Sequence, residues 1–583
     1  MTDFIISTVR ETRHDGSDDL LSAGLGLDGL RGPPPAFADV EHPIPAELRR
    51  RSIYASWKGI ADLGPLGGFG TVYGAVPNIP GREFQAFARV PGAKSPHRVL
   101  AQIPDAFDAK ARCLIVAAAS GSRGVYGAIA LAGAWGLPRG CAVVHTDKGA
   151  GSGYFDSASA TGVTLDGTRA KVGEAELEFA PEHAASDAGI AVKHAHSGDN
   201  PEASWGAHVL QAARFGLAML DRAYPAQAPF TPQNARIIAL GVSNGGGAVL
   251  QAAGLDTDHI LSGVVVAAPN INVPRESTQG RALYDYVTEA AIWMPCALVD
   301  ARFDATALAR LNGQVAPAWI ARCAALHASG DLAGSDTHAQ AAEALERLHA
   351  SGWTDAALES GAINVAFDLW RAVGATYASA CTRSAVGAMP CGFRFDAHDD
   401  HGATRPPTLT ERAAWWADAP GIPPGNGVFL DNPKTAGEAD GALRDSRCLR
   451  ALWTGTDSQS QRLRESVAAT EARMPRGDLP IAVVHGREDG LVPAAFSSDP
   501  YVAWLRASGR KPLHWSVPHS QHFDAFLALP GFGDRYVPLM PYAYAAMDRM
   551  WAHLVDGTPL PEGSPDAQPR GTGVLEAGML GLR

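Results

Sequence analysis

Cysteine is scarce in this sequence, seven residues in 583, and the number is odd. Cys113 and Cys141 fall in apolar stretches read as buried strands, where a thiol serves as a small hydrophobe. Cys381 and Cys391 are close enough to pair across a short loop, although spacing alone establishes no bridge. The simpler expectation is a reducing compartment and a cytoplasmic protein. Basic charge is also short, with 49 Lys and Arg against 61 Asp and Glu, a formal net charge of −12. With no basic stripe to meet phosphates, nucleic acid is excluded as a partner. The one cluster, Arg49-Arg50-Arg51, reads as a solvated helix end. Long apolar runs are missing as well: none approaches the ~20 residues that span a bilayer. Met1–Ser7 has neither the basic start nor the apolar stretch of a signal peptide.

What is present is a globular composition, 46% hydrophobic and 19% charged, in a chain long enough for a core domain carrying a large insertion. Residues 1–45 are polar and proline-rich (Gly32-Pro33-Pro34-Pro35) and read as an arm on the surface. The first part of the core, 46–272, opens with strands near Phe84–Val90 and Val99–Pro104. Apolar runs follow at Arg112–Ala119, Cys141–His145, Ala235–Val242 and Ser262–Ala268, the pattern of strands covered on both faces. Between them, Ala207–Ala223 places Val209, Leu210, Ala213, Leu217 and Leu220 at helical spacing. This alternation predicts a mostly parallel sheet. The adjacent charges of Asp147 and Lys148 are expected to hold their loop in shape.

From 273 to 478 the alternation stops. Helix-like stretches at Ala316–Ala328, His338–His349, Ala366–Ala380 and Leu409–Ala417 predict an inserted, mainly helical cap without strands. Such a cap shapes a pocket and excludes water. Trp353, Trp370, Trp415 and Trp416 are expected in its core. Asp396, His398, Asp399, Asp400 and His401 read as a polar loop, since they lack the helical spacing of a metal site. The sheet resumes in 479–555 with Leu479–Gly486, Leu513–Val517 and a closing helix carrying Tyr544, Met547 and Trp551 on one side. Residues 556–583, rich in Pro and Gly, read as a loose tail.

The chain is organised around Ala235–Leu250, which reads as strand, Gly241-Val242-Ser243-Asn244-Gly245 turn, then helix. Such a turn lifts the serine hydroxyl above the sheet edge. Gly-x-Ser-x-Gly is weak alone in a chain with 63 glycines, and the plain alternative is a buried serine in a tight turn. Order adds weight: Ser243, Asp489 and His522 each follow a predicted strand, in the sequence Ser, acid, His. A serine hydroxyl needs an imidazole to take its proton and an acid to fix that ring's tautomer. Asp489 is preferred to Glu488 for its place in His485-Gly486-x-x-Asp489-x-x-Val492-Pro493. His519 competes with His522, which is favoured because Phe523 and a helix start follow it. Oxyanion donors are expected from the N–H of Asn244 and from the Gly-rich loop at Ser120, Gly121 and Ser122. That loop lacks the Lys-Ser/Thr ending of a phosphate loop, and its plainer reading is a turn that needs small residues. The expected fold is α/β: an α/β-hydrolase fold with a mostly parallel central sheet and a large, mainly helical inserted cap. The expected chemistry is that of a serine esterase, which needs no metal and no organic cofactor.

Several phrases resemble the bacterial D-(−)-3-hydroxybutyrate oligomer hydrolases. They are Gly24-Leu25-Gly26, Pro34-Pro35-Ala36-Phe37-Ala38, Gly67-Gly68-Phe69-Gly70-Thr71-Val72-Tyr73-Gly74, Thr146-Asp147-Lys148-Gly149, Gly241–Gly246 and Gln521-His522-Phe523-Asp524-Ala525. They run over nearly the whole chain. The resemblance implies cleavage of ester bonds in short 3-hydroxybutyrate oligomers to the monomer, in breakdown of poly(3-hydroxybutyrate), with Ser243 as the family's serine. The partner is then a small-molecule ester. Many members look secreted, which makes secretion the alternative to a cytoplasmic location. Two rival functions are a broader carboxylesterase acting on aromatic or plant esters with the same triad, and a non-catalytic binding protein on a hydrolase scaffold. The last would be expected to lack a triad member, and all three positions are filled.

Overall fold

Apolar runs that need cover on both faces gather in the middle of one nine-stranded sheet. The computed structural model describes residues 3–582 apart from 65, 183–184, 187, 275–279, 400 and 419–426. In chain order the strands are β1 (Arg10–His14), β2 (Gly81–Ala88), β3 (His97–Pro104), β4 (Cys113–Ala118), β5 (Ala142–Thr146), β6 (Arg236–Val242), β7 (Gly263–Ala267), β8 (Ile481–Gly486) and β9 (Leu513–Val517). Their spatial order is β1-β2-β3-β5-β4-β6-β7-β8-β9. The pairs from β1 to β5 through β2 and β3 are antiparallel, and every pair from β5 to β9 is parallel.

Two apolar clusters lie on the two faces, and successive strand residues feed them alternately. Leu114, Val116, Ile237, Ala239 and Val264 pack with the helices Pro201–Ala223 and Asn244–Leu255. Ile115, Ala117, Ile238, Leu240 and Val265 face the closing helix Met540–Asp556, in a cluster that continues into the cap. The helix Pro201–Ala223 starts where Asn200 accepts the Ala203 N–H and Pro201 takes the first position, both favourable at an N-terminus.

Between β7 and β8 lies the insertion. The helix Leu283–Ala297 is its hub and packs against Thr337–Ala350, Leu369–Thr382 and Gly441–Thr454. Trp353, Trp370, Trp415 and Trp416 are buried. The stretch expected as one helix over Ala366–Ala380 is two: Asp355–Ala366 ends, Asp368 turns through a left-handed conformation (φ 53°), and Leu369–Thr382 begins. The insertion also carries strands that the sequence reading missed. Arg394–His398 pairs with Thr404–Arg405 and Val428–Asp431. Phe395 and Ala397 are buried there, but alternation over five residues is a faint signal. This strand absorbs Asp396 and His398; Asp400 lies outside the described residues. Among the described residues, no three His, Cys, Asp or Glu side chains are grouped to hold a metal. A second small sheet, Tyr154–Asp156, Thr161–Val163, Arg169–Lys171 and Ile190–Val192, was missed because each strand has only three residues.

Four further expectations are corrected by contacts between distant residues. The N-terminal arm contributes β1, and Leu20 and Leu21 are fully buried. Arg49 is no solvated helix end: it is buried, bonding both carboxylate oxygens of Glu83 (2.8 and 3.0 Å) and Asp18 (2.7 Å). Burial would raise the Glu83 carboxyl, but the Arg49 guanidinium more than offsets this and brings it to about 2. The tail is docked, with Ala567, Leu575 and Leu580 buried and the Gly571 N–H bonded to Asp534. Finally, Cys113 and Cys141 are joined as a disulfide, because adjacent parallel strands bring together residues 28 apart. Cys296 pairs with Cys323, and Cys391 pairs with Cys448, leaving Cys381 buried and free.

Candidate active site

The carboxyl ends of β4, β6 and β8 converge on one point, the usual ligand position for an open α/β sheet. Ser243 stands there between β6 and the helix Asn244–Leu255, with φ 58° and ψ −128°. This backbone region is strained for a residue with a side chain. The flanking glycines make the bend feasible. A Cβ at Gly241 would fall 2.4 Å from the Gly245 backbone, and one at Gly245 would fall 2.4 Å from the Ala118 carbonyl oxygen. The bend is held by Ser243 N–H to Ala267 O and Asn270 N–H to Ser243 O, both 2.9 Å.

His522 and Asp489 complete a chain of hydrogen bonds. Ser243 Oγ donates to His522 Nε2 at 2.8 Å, and His522 Nδ1 donates to Asp489 Oδ2 at 2.6 Å. An ionised carboxylate only accepts, so the proton sits on Nδ1 and leaves Nε2 open to the serine. Ser243, His522 and Asp489 are all buried. Asp489 Oδ1 accepts the N–H groups of Leu491 (2.9 Å) and Val492 (2.8 Å), which fixes the carboxylate plane. The Nε2–H of His485 is shared between Val492 O (2.9 Å) and Asp489 Oδ2 (3.2 Å). Burial by itself would raise the Asp489 carboxyl. The His522 imidazole beside it and the hydrogen bonds from His485 and His522 outweigh that and hold it well below the usual carboxylate range. His519 lies three residues away with φ 54° and is not part of this chain.

The cap braces the acid. Asn364 Nδ2 donates to Gly490 O at 2.9 Å, and Ser360 Oγ donates to Glu488 O. Both come from the cap helix Asp355–Ala366. Glu488 itself points elsewhere and accepts the Ser520 N–H at 3.0 Å.

On the other side of Ser243, the helix that begins at Asn244 presents first-turn N–H groups without intrahelical partners. Gly121 abuts Asn244: a Cβ on it would lie 3.1 Å from Asn244 Cβ. Gly121 and Ser122 line the cavity above Ser243, while Ser120 is buried behind them. The sequence reading missed what lies under Asn244. Lys148 does not pair with Asp147, as expected; its ammonium reaches Glu202 and Asn244 Oδ1, and Tyr377 OH at 3.1 Å. Tyr377, from the cap, donates to Asn244 Oδ1 at 2.8 Å, and His194 bonds Glu202 at 2.6 Å. Asp147 instead accepts from Gly149 N–H and Ser152 Oγ. Burial would raise the Glu202 carboxyl, yet Lys148 and His194 bring it to about 2, while burial lowers the Lys148 ammonium. The sequence signal was Thr146-Asp147-Lys148-Gly149, whose two charges were expected to hold their own loop in shape, whereas Lys148 pairs with Glu202 and Asn244.

Above Ser243 opens a cavity of about 430 Å³. Leu283, Val287, Ile363 and Val373 of the cap and Phe523 and Phe526 of the core give it apolar walls. Its volume is that of a small-molecule site.

The strand order, the strained serine at the end of β6 and the Ser-His-Asp chain of hydrogen bonds define an α/β-hydrolase. Within that class, the 3HB-oligomer hydrolase family model matches residues 2–577, and the chain belongs to this family. The D-(-)-3-hydroxybutyrate oligomer hydrolase of Cupriavidus metallidurans is 37% identical to it, over 96% of this chain and 85% of its own. That of Paracidovorax citrulli is 36% identical over 95% and 88%. That of Burkholderia thailandensis is 37% identical over 96% and 88%.

Proposed function

We propose that this protein hydrolyses the ester bonds of short D-(−)-3-hydroxybutyrate oligomers and releases the monomer, as a carboxylic ester hydrolase. The reading rests on family membership over nearly the full chain and on one structural observation. Ser243 is hydrogen-bonded to a histidine whose tautomer is set by a buried carboxylate, at the floor of an apolar cavity. In this mechanism His522 Nε2 takes the Ser243 proton as Oγ attacks the ester carbonyl carbon. Asp489 stays ionised and stabilises the imidazolium. The carbonyl oxygen, now negative, is received by N–H groups of Asn244 and the Gly121 loop. Collapse breaks the ester C–O bond, and His522 returns its proton to the departing alkoxide, freeing the hydroxyl end of one fragment. Water, deprotonated by His522, then releases the acyl group from Ser243. The apolar walls suit the methyl and methylene groups of the substrate. Three disulfides support work in an oxidising compartment, the alternative to a cytoplasmic location.

The test is release of 3-hydroxybutyrate from purified dimer and trimer by the wild type and by Ser243→Ala. Turnover by the wild type, with a loss of about 10⁴-fold or more in the variant, is expected. Cleavage of p-nitrophenyl esters without cleavage of the oligomers would overturn the substrate assignment. Full activity in Ser243→Ala would overturn the site.

A further inference from the structure

The cavity above Ser243 is apolar apart from a few amides and hydroxyls, yet one charged side chain lines it, Arg123. It sits two residues beyond Gly121, on the loop that follows β4. Among the described residues no carboxylate lies within ion-pair reach of it. Among the described residues its side chain makes one hydrogen bond, a long one to Gly59 O at 3.4 Å, and its Nε is sealed from solvent without a partner. Desolvation of this half-buried side chain, with no neighbouring anion to offset it, lowers the guanidinium to about 10. An unpaired cation in such a wall is costly. Its seat is nonetheless built in, because a Cβ at Gly59 would fall 2.1 Å from the guanidinium carbon. Arg123 is half-buried; the buried cations Arg49, Arg98 and Lys148 are each neutralised by a glutamate.

We propose that Arg123 binds the free carboxylate of the substrate, so that the enzyme cuts the ester nearest the acid end and removes one monomer at a time. This rests on the ester-hydrolase reading of the site. In a 3-hydroxybutyrate chain the terminal carboxylate lies two carbons beyond the last ester oxygen, on the leaving-group side. The planar fork of a guanidinium matches both carboxylate oxygens, as a lysine ammonium does not. Binding there supplies the anion that the protein withholds. The same contact discriminates against uncharged esters of equal size, since they would leave the half-buried cation unpaired.

The experiment uses hydrolysis of p-nitrophenyl butyrate, with D-3-hydroxybutyrate anion and uncharged 3-hydroxybutyramide as competitive inhibitors. The wild type is expected to bind the anion about 10- to 100-fold more tightly than the amide. In Arg123→Gln of unaltered thermal midpoint, that ratio falls to near one; in Arg123→Lys it falls part of the way. A wild-type ratio near one, or a ratio unchanged in either variant, overturns the proposal. The lysine variant retains the charge and stem and serves if the glutamine variant does not fold. Dimer cleavage is scored separately. A wild type that ignores the dimer, while the anion inhibits through Arg123, removes the oligomer reading and leaves the carboxylate subsite. Cleavage of the dimer with a ratio of one does the reverse.

Discussion

Replacing Asp489 by Asn tests the acid with almost no change of shape. The carboxylate has four N–H partners: His522, His485, Leu491 and Val492. The two backbone donors on Oδ1 fix which way an amide would sit, with its oxygen toward them and its NH₂ toward His522. Two donors then face each other. His522 relieves this by moving its proton to Nε2, which points it at Ser243 Oγ and leaves no lone pair to accept the serine proton. The loss expected in kcat/KM on the 3-hydroxybutyrate dimer is about 10⁴-fold, or about 5.5 kcal/mol of transition-state stabilisation. The assay compares wild type, Asp489→Asn and Glu488→Gln at pH 7.5, each checked for an unaltered thermal midpoint. Glu488→Gln should retain most activity, because that carboxylate is engaged with the Ser520 N–H. A loss below tenfold for Asp489→Asn, or a larger loss for Glu488→Gln, would refute the tautomer argument and the choice of acid.

Two other predictions follow from buried charges. Lys148→Met leaves Glu202 ionised without its main partner, at a cost of about 3–5 kcal/mol in stability, and frees Asn244 beside the proposed oxyanion. Thermal unfolding and kcat should both fall, and adding Glu202→Gln should restore much of the stability but less of the rate; full recovery of both would show that the network acts on stability alone. Asp524, whose carboxyl is pushed by burial from the ordinary 3.8 to about 7, gives the opposite sign to Asp489. Between those pH values the native state holds a proton on Asp524 that the unfolded chain has lost, so the contribution of this one group to stability falls as pH rises, by up to about 4 kcal/mol. Buried histidines such as His145 and His208, lowered to about 4 and about 3, act the other way, so the comparison is between proteins: denaturant midpoints at pH 5 and pH 8 should show that going to pH 8 favours Asp524→Asn more than wild type, and an identical pH dependence in the two would refute it.

The residues that fold locally announce themselves. Strand β6, the Ser243 turn and the helix after it are contiguous, so apolar periodicity and two glycines suffice to read them. The same holds for β4, β7, β8 and β9 and for the order Ser243, Asp489, His522. Strands of three to five residues in the insertion and after β5 offered too few alternations to detect. What only the tertiary structure decided are pairings between residues far apart in the chain. It chose Glu202 and Asn244 rather than Asp147 as partners of Lys148. It joined Cys113 to Cys141, put His522 and not His519 against Ser243, and docked both chain ends onto the sheet. It also left Arg123 in the cavity wall with no carboxylate partner among the described residues. Periodicity reports which face of an element is buried, over spans of a few residues. Which groups then meet depends on strand order and on how the cap closes over the sheet, and neither is written in any single stretch of the sequence.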